Sequence, residues 1–231
     1  QSRPMIPLRA VAFDMDGLMF NSEDVYSEVG HELLRRRGAE FTKDLKNAIM
    51  GLTAWHSFEV MIEHCSLDDT PEQLIPESEE IFVSLLDAHL APMPGLLDLL
   101  AALERAGIPK AVATSTGRRL TTAVLSRFDL EKRFDFVLTS ENITRGKPDP
   151  EVYLLAAERF GISPREMLVL EDSHFGSRAA AAAGAFVVAV PNEHTDGHDF
   201  DMANFVVESL EDNRIYEILD IAKLGTADER E

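Results

Sequence analysis

Two aspartates spaced two residues apart, Asp14 and Asp16, are the side chains whose type and spacing most clearly suggest chemistry. They follow an apolar run, residues 10–13, that has the length and composition of a buried parallel strand, and Gly17 then allows a sharp turn. Alternate residues of an extended segment point the same way, so both carboxylates could face one site. Two such groups repel each other unless a cation lies between them. Mg²⁺ suits one or two carboxylates together with a substrate phosphate.

The same stretch is also consistent with a strand that ends in an ordinary Asx turn, because Asp and Gly are favoured in turns for local reasons. Taken alone, it leaves both interpretations open. Which of them holds depends on the other elements of the chain and on the residues at their ends.

Strand-like runs alternate with helical patterns in the second half of the chain, which predicts a parallel sheet with right-handed crossovers. The predicted strands are residues 10–13, 110–114, 136–138, 167–171 and 186–190. The predicted helices between and around them are residues 96–105, 120–128, 150–160 and 178–183.

Residues 22–91 lack strand signals and carry apolar residues at helical spacing, with helices predicted at 25–36, 45–50, 58–65 and 74–90. The Pro92-Met93-Pro94-Gly95 segment marks a boundary. The predicted fold is therefore α/β. A Rossmann-like parallel sheet flanked by helices would be formed by residues 1–21 and 92–231, and a small all-helical domain, residues 22–91, would be inserted after the first strand.

Polar residues follow four of the predicted strands, and ligands of open parallel sheets bind at these carboxyl ends. They are Asp14 and Asp16, Thr114 and Ser115, Lys147, and the pair Glu171 and Asp172. Each alone could be a helix cap, a solvated lysine or an acidic helix start. Together they have the composition of a phosphoryl-transfer site, with carboxylates for a hard cation, donors for phosphate oxygens and a lysine to offset negative charge.

The ordered motifs Asp14-Met15-Asp16-Gly17, Thr114-Ser115, Gly146-Lys147-Pro148-Asp149-Pro150 and Glu171-Asp172-Ser173 resemble those of the haloacid dehalogenase-like hydrolase superfamily. More narrowly, the chain resembles the beta-phosphoglucomutase-like phosphatases, in which an alpha-helical cap domain is inserted after the first strand. The motifs are specific for the superfamily and its chemistry, and they do not identify a substrate.

The resemblance implies a Mg²⁺-dependent hydrolase of a small phosphorylated metabolite that forms an aspartyl phosphate. Asp14 would be the nucleophile and Asp16 the general acid and base. The phosphate would be bound by the hydroxyl of Thr114, the amide of Ser115 and the side chain of Lys147. Asp14, the main-chain carbonyl of Asp16 and Asp172 would hold the metal, and Glu171 would be either a ligand or a support for the ligands.

The alternative within enzymes is a phosphosugar mutase of the beta-phosphoglucomutase type. Such mutases carry a cap arginine after a Gly-x-Ser/Thr turn, whereas Gly51-Leu52-Thr53 is followed here by Ala54, Trp55 and His56. Trp55 and His56 are candidate contacts for the leaving group, although a packed tryptophan and a solvent-facing histidine fit the pattern equally well. Asn21 stands where the subfamily usually has an acidic hinge residue, and its amide can still bond loop backbone.

A third interpretation is a non-catalytic sensor of a phosphorylated metabolite that has kept the fold. The sequence retains Asp14, Asp16, Lys147 and Asp172, and a protein that only binds its ligand does not need the acid and base. The intact set therefore favours an enzyme.

The composition narrows the range of partners. The formal net charge of −19 argues against nucleic acids and anionic membrane surfaces, and no apolar run is long enough to span a membrane. Cys65 is the single cysteine, so no internal disulfide is possible, which favours a reducing cytoplasm. The run Arg35-Arg36-Arg37 is interpreted as a solvated face. Oligomeric state is not predictable from this sequence.

Overall fold

The computed structural model describes residue 4 and residues 6–49, 53–195 and 197–223. Its sheet contains six parallel strands in the order β3-β2-β1-β4-β5-β6. The strands are β1 (Ala10–Phe13), β2 (Lys110–Ala113), β3 (Phe136–Leu138), β4 (Met167–Glu171), β5 (Phe186–Ala189) and β6 (Phe205–Val206). The α/β fold with a parallel sheet is confirmed. Since the strand order reverses at β1, the carboxyl end of β1 is the topological switch point at which such sheets bind ligands.

Helices α5 to α9 belong with this sheet: α5 (Leu96–Ala106), α6 (Arg118–Arg127), α7 (Glu151–Phe160), α8 (His174–Ala183) and α9 (Asn213–Leu219). Every residue of β1, β2, β4 and β5 is buried, which explains why these strands are continuous apolar runs with little alternation. Tyr153 and Ala156 of α7 and Ala179 and Ala180 of α8 are buried in the core on one side of the sheet, together with Val169 of β4.

Helix α8 begins one turn earlier than the sequence pattern predicted. Ser173 caps it, because its hydroxyl oxygen accepts a hydrogen bond from the amide of Gly176 at 3.1 Å. A Cβ atom at position 176 would overlap the carboxylate of Glu171, so only glycine fits there. Glycine has a low helix propensity, and this hid the first turn of the helix from the sequence analysis.

The sequence analysis did not predict strand β6 or helix α9. Strand β6 has two residues and pairs with β5, and a segment that short carries no alternation to detect. Helix α9 has seven residues and is capped by Asp212, whose carboxylate accepts the amide proton of Arg214 at 2.9 Å. Strand β6 thus adds a sixth strand to the five that were predicted, and α9 adds a helix to the same unit.

The chain divides into two compact units, Gln1–Asn21 with Ala91–Glu231 and Ser22–Leu90. The second unit contains α1 (Ser22–Arg35), α2 (Lys43–Ile49), α3 (Ala54–Cys65) and α4 (Pro71–His89), and its core includes Leu33, Leu74 and Phe82. We refer to these two parts as the sheet unit and the helical unit. That they act as a catalytic core and a cap stays a prediction.

No helix among residues 6–49, 53–195 and 197–223 combines the length and the apolar character needed to cross a membrane.

Arg37 lies inside an ion-pair cluster of the helical unit, which corrects its interpretation as part of a solvated face. Its guanidinium lies 2.8 Å from Asp69 and 2.6 Å from Glu77, and its side chain is 17% exposed, against 72% for Arg35. The hydrogen bonds from Arg37 lower the pKa of both carboxyls. A bidentate, partly buried arginine of this kind links the segment after α1 to α4 and to the loop before α4.

Replacing Arg37 with methionine should lower the free energy of unfolding by about 1–2 kcal/mol at pH 7, because it leaves two partly buried carboxylates without their donor. Since both folded pKa values are lowered, the wild-type advantage exists above the unfolded pKa values of about 4 and disappears as pH falls below them. Urea unfolding followed through the single tryptophan, Trp55 of the helical unit, measures it. Arg35→Met is the matched control, and an equal effect of the two variants would contradict the assignment.

Candidate active site

The predicted strand ends meet at one edge of the sheet. Phe13 of β1 is paired with Val112 of β2 and with Leu170 of β4, so the residues that follow these strands lie at the same level. The amide of Asp14 donates to the carbonyl of Leu170 at 3.0 Å, and the amide of Thr114 donates to the carbonyl of Leu138 at 3.0 Å. Sheet register thus brings the polar residues of three of the four motifs to one place.

Lys147 connects two of these strand ends. Its ammonium lies 2.5 Å from Oδ1 of Asp14 and 2.6 Å from Oε1 of Glu171, and it also donates to the carbonyl of Ala113 at 3.1 Å. The lysine and the two carboxylate side chains are 7%, 10% and 0% exposed. The peptide bond between Lys147 and Pro148 is cis. All three ammonium protons of Lys147 therefore have an acceptor inside the protein.

The cluster carries more negative than positive charge. Burial opposes the charged form of Lys147, but the carboxylates of Asp14 and Glu171 raise its pKa, which keeps it protonated. Burial also raises the pKa of Asp14. The nearby lysine opposes this effect, and the charge of Glu171 adds to it. Asp14, Glu171 and Asp172 each present a carboxylate oxygen, and the three atoms lie within 4.8 Å of one another. Three carboxylate oxygens this close together, in a cluster with excess negative charge, are suited to binding a hard divalent cation.

Glu171 accepts four hydrogen bonds. Its Oε1 receives the ammonium of Lys147 and, at 2.6 Å, the hydroxyl of Tyr153, while Oε2 receives the amide and the hydroxyl of Ser173 at 3.2 and 3.0 Å. The ring of Tyr153 also lies under the ammonium of Lys147, 5.1 Å from its centre. The carboxylate of Glu171 is therefore already occupied by protein donors, and it holds the lysine in place.

The carboxylate of Asp16 receives two threonine hydroxyls on the same oxygen. Thr116 donates to Oδ2 at 2.6 Å and Thr114 donates to it at 3.2 Å, while the hydroxyl of Thr114 accepts the amide proton of Thr116 at 3.0 Å. Ser115, between them, is exposed. The loop after β2 thus orients Asp16 from the side, with Thr116 as the closer donor.

Trp55 and His56 lie in the first turn of α3, in the helical unit. Thr53 caps this helix, since its hydroxyl accepts the amide of His56, and the indole of Trp55 donates to Glu59 at 2.9 Å. Trp55 is 42% exposed, so it is not the packed tryptophan that one interpretation allowed. Gly51 and Leu52 of the preceding turn lie outside the described residues. A substrate contact by Trp55 or His56 stays a prediction.

Asn21 bonds the loop backbone at the end of the inserted segment, as its amide allows. Its side-chain Oδ1 accepts the amide proton of Ala91 at 2.7 Å, and its backbone N–H donates to the carbonyl of Ala91 at 3.2 Å. Hydrogen bonds therefore join the chain segment that leads into the helical unit to the segment that leaves it.

Sequence reasoning missed three residues that contact the predicted site: Thr116, Tyr153 and Asn192. Thr116 follows two predicted site residues directly, so extending the motif by one polar residue would have found it. Asn192 follows the fifth predicted strand, where the strand-end rule applies as it does to the others. Tyr153 gave no such signal, because a tyrosine on an amphipathic helix looks like an ordinary core residue.

Comparison with known proteins gives matches over most of the chain. A family model described as haloacid dehalogenase-like hydrolase matches residues 11–190, which include all four motifs. The phosphorylated carbohydrates phosphatase of Thermotoga maritima is 35% identical over 181 residues, which cover 77% of this chain and 82% of that protein. The fructose-1-phosphate phosphatase of Escherichia coli is 32% identical over 178 residues, covering 77% and 94%. Among solved structures, CbbY from Rhodobacter sphaeroides in complex with phosphate aligns with a TM-score of 0.80 at 25% identity, covering 89% of this chain and 96% of that one.

Proposed function

The chain belongs to the haloacid dehalogenase-like hydrolases and is a phosphatase among them, and we propose that it hydrolyses a small phosphorylated metabolite through an aspartyl phosphate on Asp14. The observation that carries the proposal is the setting of Asp14. Its carboxylate lies at the carboxyl end of β1, a central strand of the sheet, and one of its oxygens accepts a hydrogen bond from Lys147. Asp16, the proposed acid and base, lies two residues further on and is hydrogen-bonded to Thr116. A carboxylate oriented in this way can attack phosphorus.

In the first step Oδ2 of Asp14 forms a bond to phosphorus while the ester bond to the metabolite breaks. The leaving alkoxide takes a proton from Asp16, which starts this step in its protonated form. Both threonine hydroxyls donate to Oδ2 of Asp16, which orients its carboxyl group for this transfer.

In the second step Asp16, now a carboxylate, takes a proton from water as the water oxygen attacks phosphorus. The bond between phosphorus and Asp14 breaks, and inorganic phosphate leaves. A mutase would differ only here, since a second hydroxyl of the sugar, in place of water, would accept the phosphoryl group.

Phosphate oxygens would be bound by the hydroxyl of Thr114, by the amide of Ser115 and by Lys147, whose ammonium would exchange the carbonyl of Ala113 for a phosphate oxygen. The amide of Thr114 is used within the sheet, so only its hydroxyl can contribute. A hydroxyl donates one proton, so Thr114 must turn from Asp16 when it binds phosphate, and Thr116 remains as the donor that orients Asp16.

Mg²⁺ would be held by Asp14, Asp172 and the main-chain carbonyl of Asp16. We assign Glu171 to the support of Lys147, because four protein donors already occupy its oxygens. When bound, the ion would neutralise phosphoryl charge and orient the phosphate against Asp14.

The test is phosphate release from p-nitrophenyl phosphate with Mg²⁺ by the wild type and by Asp14→Asn. Activity no higher than that of the variant would favour the non-catalytic sensor. Conversion of beta-glucose 1-phosphate to glucose 6-phosphate faster than phosphate appears would favour the mutase. Phosphorylated carbohydrates are the first substrate class to screen, since two relatives are named for that class.

Replacing Thr116 with valine should lower kcat about tenfold and change KM much less, because the acid and base loses the donor that orients it while the phosphate contacts remain. Steady-state kinetics on p-nitrophenyl phosphate measure both constants. Thr116→Ser keeps the hydroxyl and should stay within about threefold of wild type. A serine variant as slow as the valine variant would show that the hydrogen bond is not the cause.

A further inference from the structure

Asn192 lies on the loop after β5, and hydrogen bonds fix its amide in one orientation. Its Oδ1 accepts the amide protons of His194 and Thr195 at 2.8 and 3.2 Å, so this atom must be the oxygen. Its Nδ2 therefore faces two acceptors, Oδ2 of Asp172 at 2.8 Å and the carbonyl oxygen of Gly17 at 3.0 Å. The single amide group thus joins the loops that follow β1 and β4.

The contact between Asn192 and Asp172 requires a glycine at position 17. This residue has a φ of 80°, and a Cβ atom there would overlap Oδ2 of Asp172 and approach Nδ2 of Asn192 to 2.8 Å. The backbone of the β1 loop, the carboxylate of Asp172 and the amide of Asn192 are therefore packed against one another. The hydrogen bond to Oδ2 fixes the rotation of the Asp172 carboxylate and hence the direction of its Oδ1.

We propose that Asn192 is a positioning residue that holds the carboxylate of Asp172 in the orientation for divalent cation binding beside Asp14. Before a cation binds, the carboxylates of Asp14 and Asp172 repel each other at a separation of at most 4.8 Å. The hydrogen bond from Asn192 holds the carboxylate of Asp172 against that repulsion, so the ligand is set in place before the cation arrives. The inference rests on the proposed function, which makes Asp172 a metal ligand.

Asn192→Ala should weaken Mg²⁺ binding by 10- to 100-fold, the range typical when the hydrogen-bond partner of a ligand is removed. Titration calorimetry of the metal-free protein with Mg²⁺ measures this without any turnover. The activity lost at low Mg²⁺ should return to within about threefold of wild type as Mg²⁺ is raised, since in the proposed role Asn192 acts only through the metal ligand Asp172. Loss of loop structure alone would give no such recovery.

Thr195→Val is the matched control, because the hydroxyl of Thr195 accepts the amide proton of Asn192 at 2.9 Å and takes no part in the contact with Asp172. It disturbs the same loop, so its melting temperature should fall while its Mg²⁺ affinity stays within about threefold of wild type. Equal loss of Mg²⁺ affinity in both variants, or wild-type affinity in Asn192→Ala, would overturn the proposal.

The two proposals fail in different ways. A wild-type protein that binds Mg²⁺ more tightly than Asn192→Ala, yet releases no more phosphate than Asp14→Asn, would refute the hydrolase mechanism and support the role of Asn192. A wild-type protein that releases phosphate, while calorimetry finds the same Mg²⁺ affinity with and without Asn192, would refute the positioning role alone. A wild-type protein with no measurable Mg²⁺ binding would also overturn the positioning role of Asn192.

Discussion

Asp14→Asn should reduce phosphate release from p-nitrophenyl phosphate by at least about 10³-fold, because an amide of the same shape cannot serve as the nucleophile. The fold should be unchanged, since the amide oxygen can still accept from Lys147. Release of phosphate under saturating substrate and Mg²⁺ measures the effect. Asp98→Asn, the same change at an exposed position of α5, is the control and should stay within about twofold of wild type. More than a tenth of wild-type activity in Asp14→Asn would exclude Asp14 as the nucleophile.

The same variant should not be less stable than wild type in metal-free buffer at pH 7. Burial raises the pKa of Asp14 in the folded protein, so the unfolded chain ionises first as pH rises and is favoured by doing so. That effect begins near the unfolded pKa of about 3.9 and grows until pH passes the folded value. Asparagine does not ionise, so its advantage in melting temperature should shrink as pH is lowered toward 4.

Lys147→Met should lower phosphate release by about 10³-fold and the free energy of unfolding by about 3–5 kcal/mol, because it leaves the buried carboxylates of Asp14 and Glu171 without their cation. The carboxylates raise the pKa of Lys147, so its contribution to stability is present up to the unfolded pKa of about 10.4 and is lost above it. The contribution of the lysine charge to the stability of the wild type should therefore be complete from pH 7 to 9. Urea unfolding followed by circular dichroism measures it.

A second substitution separates the stability effect of Lys147 from its chemistry. Lys147→Met combined with Glu171→Gln removes one of the two unpaired buried charges, so it should recover part of the lost stability. Activity should not return, since no ammonium group then stands beside Asp14. A single variant as stable as wild type, or a double variant that regains activity, would refute the role assigned to Lys147.

Most of the fold was predictable because its strands are buried on both faces. Uniform apolar runs of four or five residues, followed by helical patterns, are typical of a parallel sheet with crossovers. The limit was length. Strand β6 contributes two residues and gains its pairing from β5, so no local pattern specifies it.

The neighbours at the strand ends were predictable for a related reason, since parallel strands bring their carboxyl ends to one edge. The orientation of side chains at that edge was not. Glu171 accepts four hydrogen bonds in part because the hydroxyl of Tyr153 reaches it from helix α7. The amide and the hydroxyl of Ser173 donate two of the others. Contacts of this kind are set by how a helix packs on the sheet, which a one-dimensional pattern does not contain.

Gly176 limits how this chain can be engineered. Replacing a helical glycine with alanine is a common way to stabilise a protein, because it reduces the conformational freedom of the unfolded chain. Position 176 lies in the first turn of α8 and would be an obvious choice on that basis, yet its Cβ atom would overlap the carboxylate of Glu171. That carboxylate holds Lys147 against Asp14. A stabilising library should leave this glycine unchanged, since a single added methyl group would displace the carboxylate that holds the lysine.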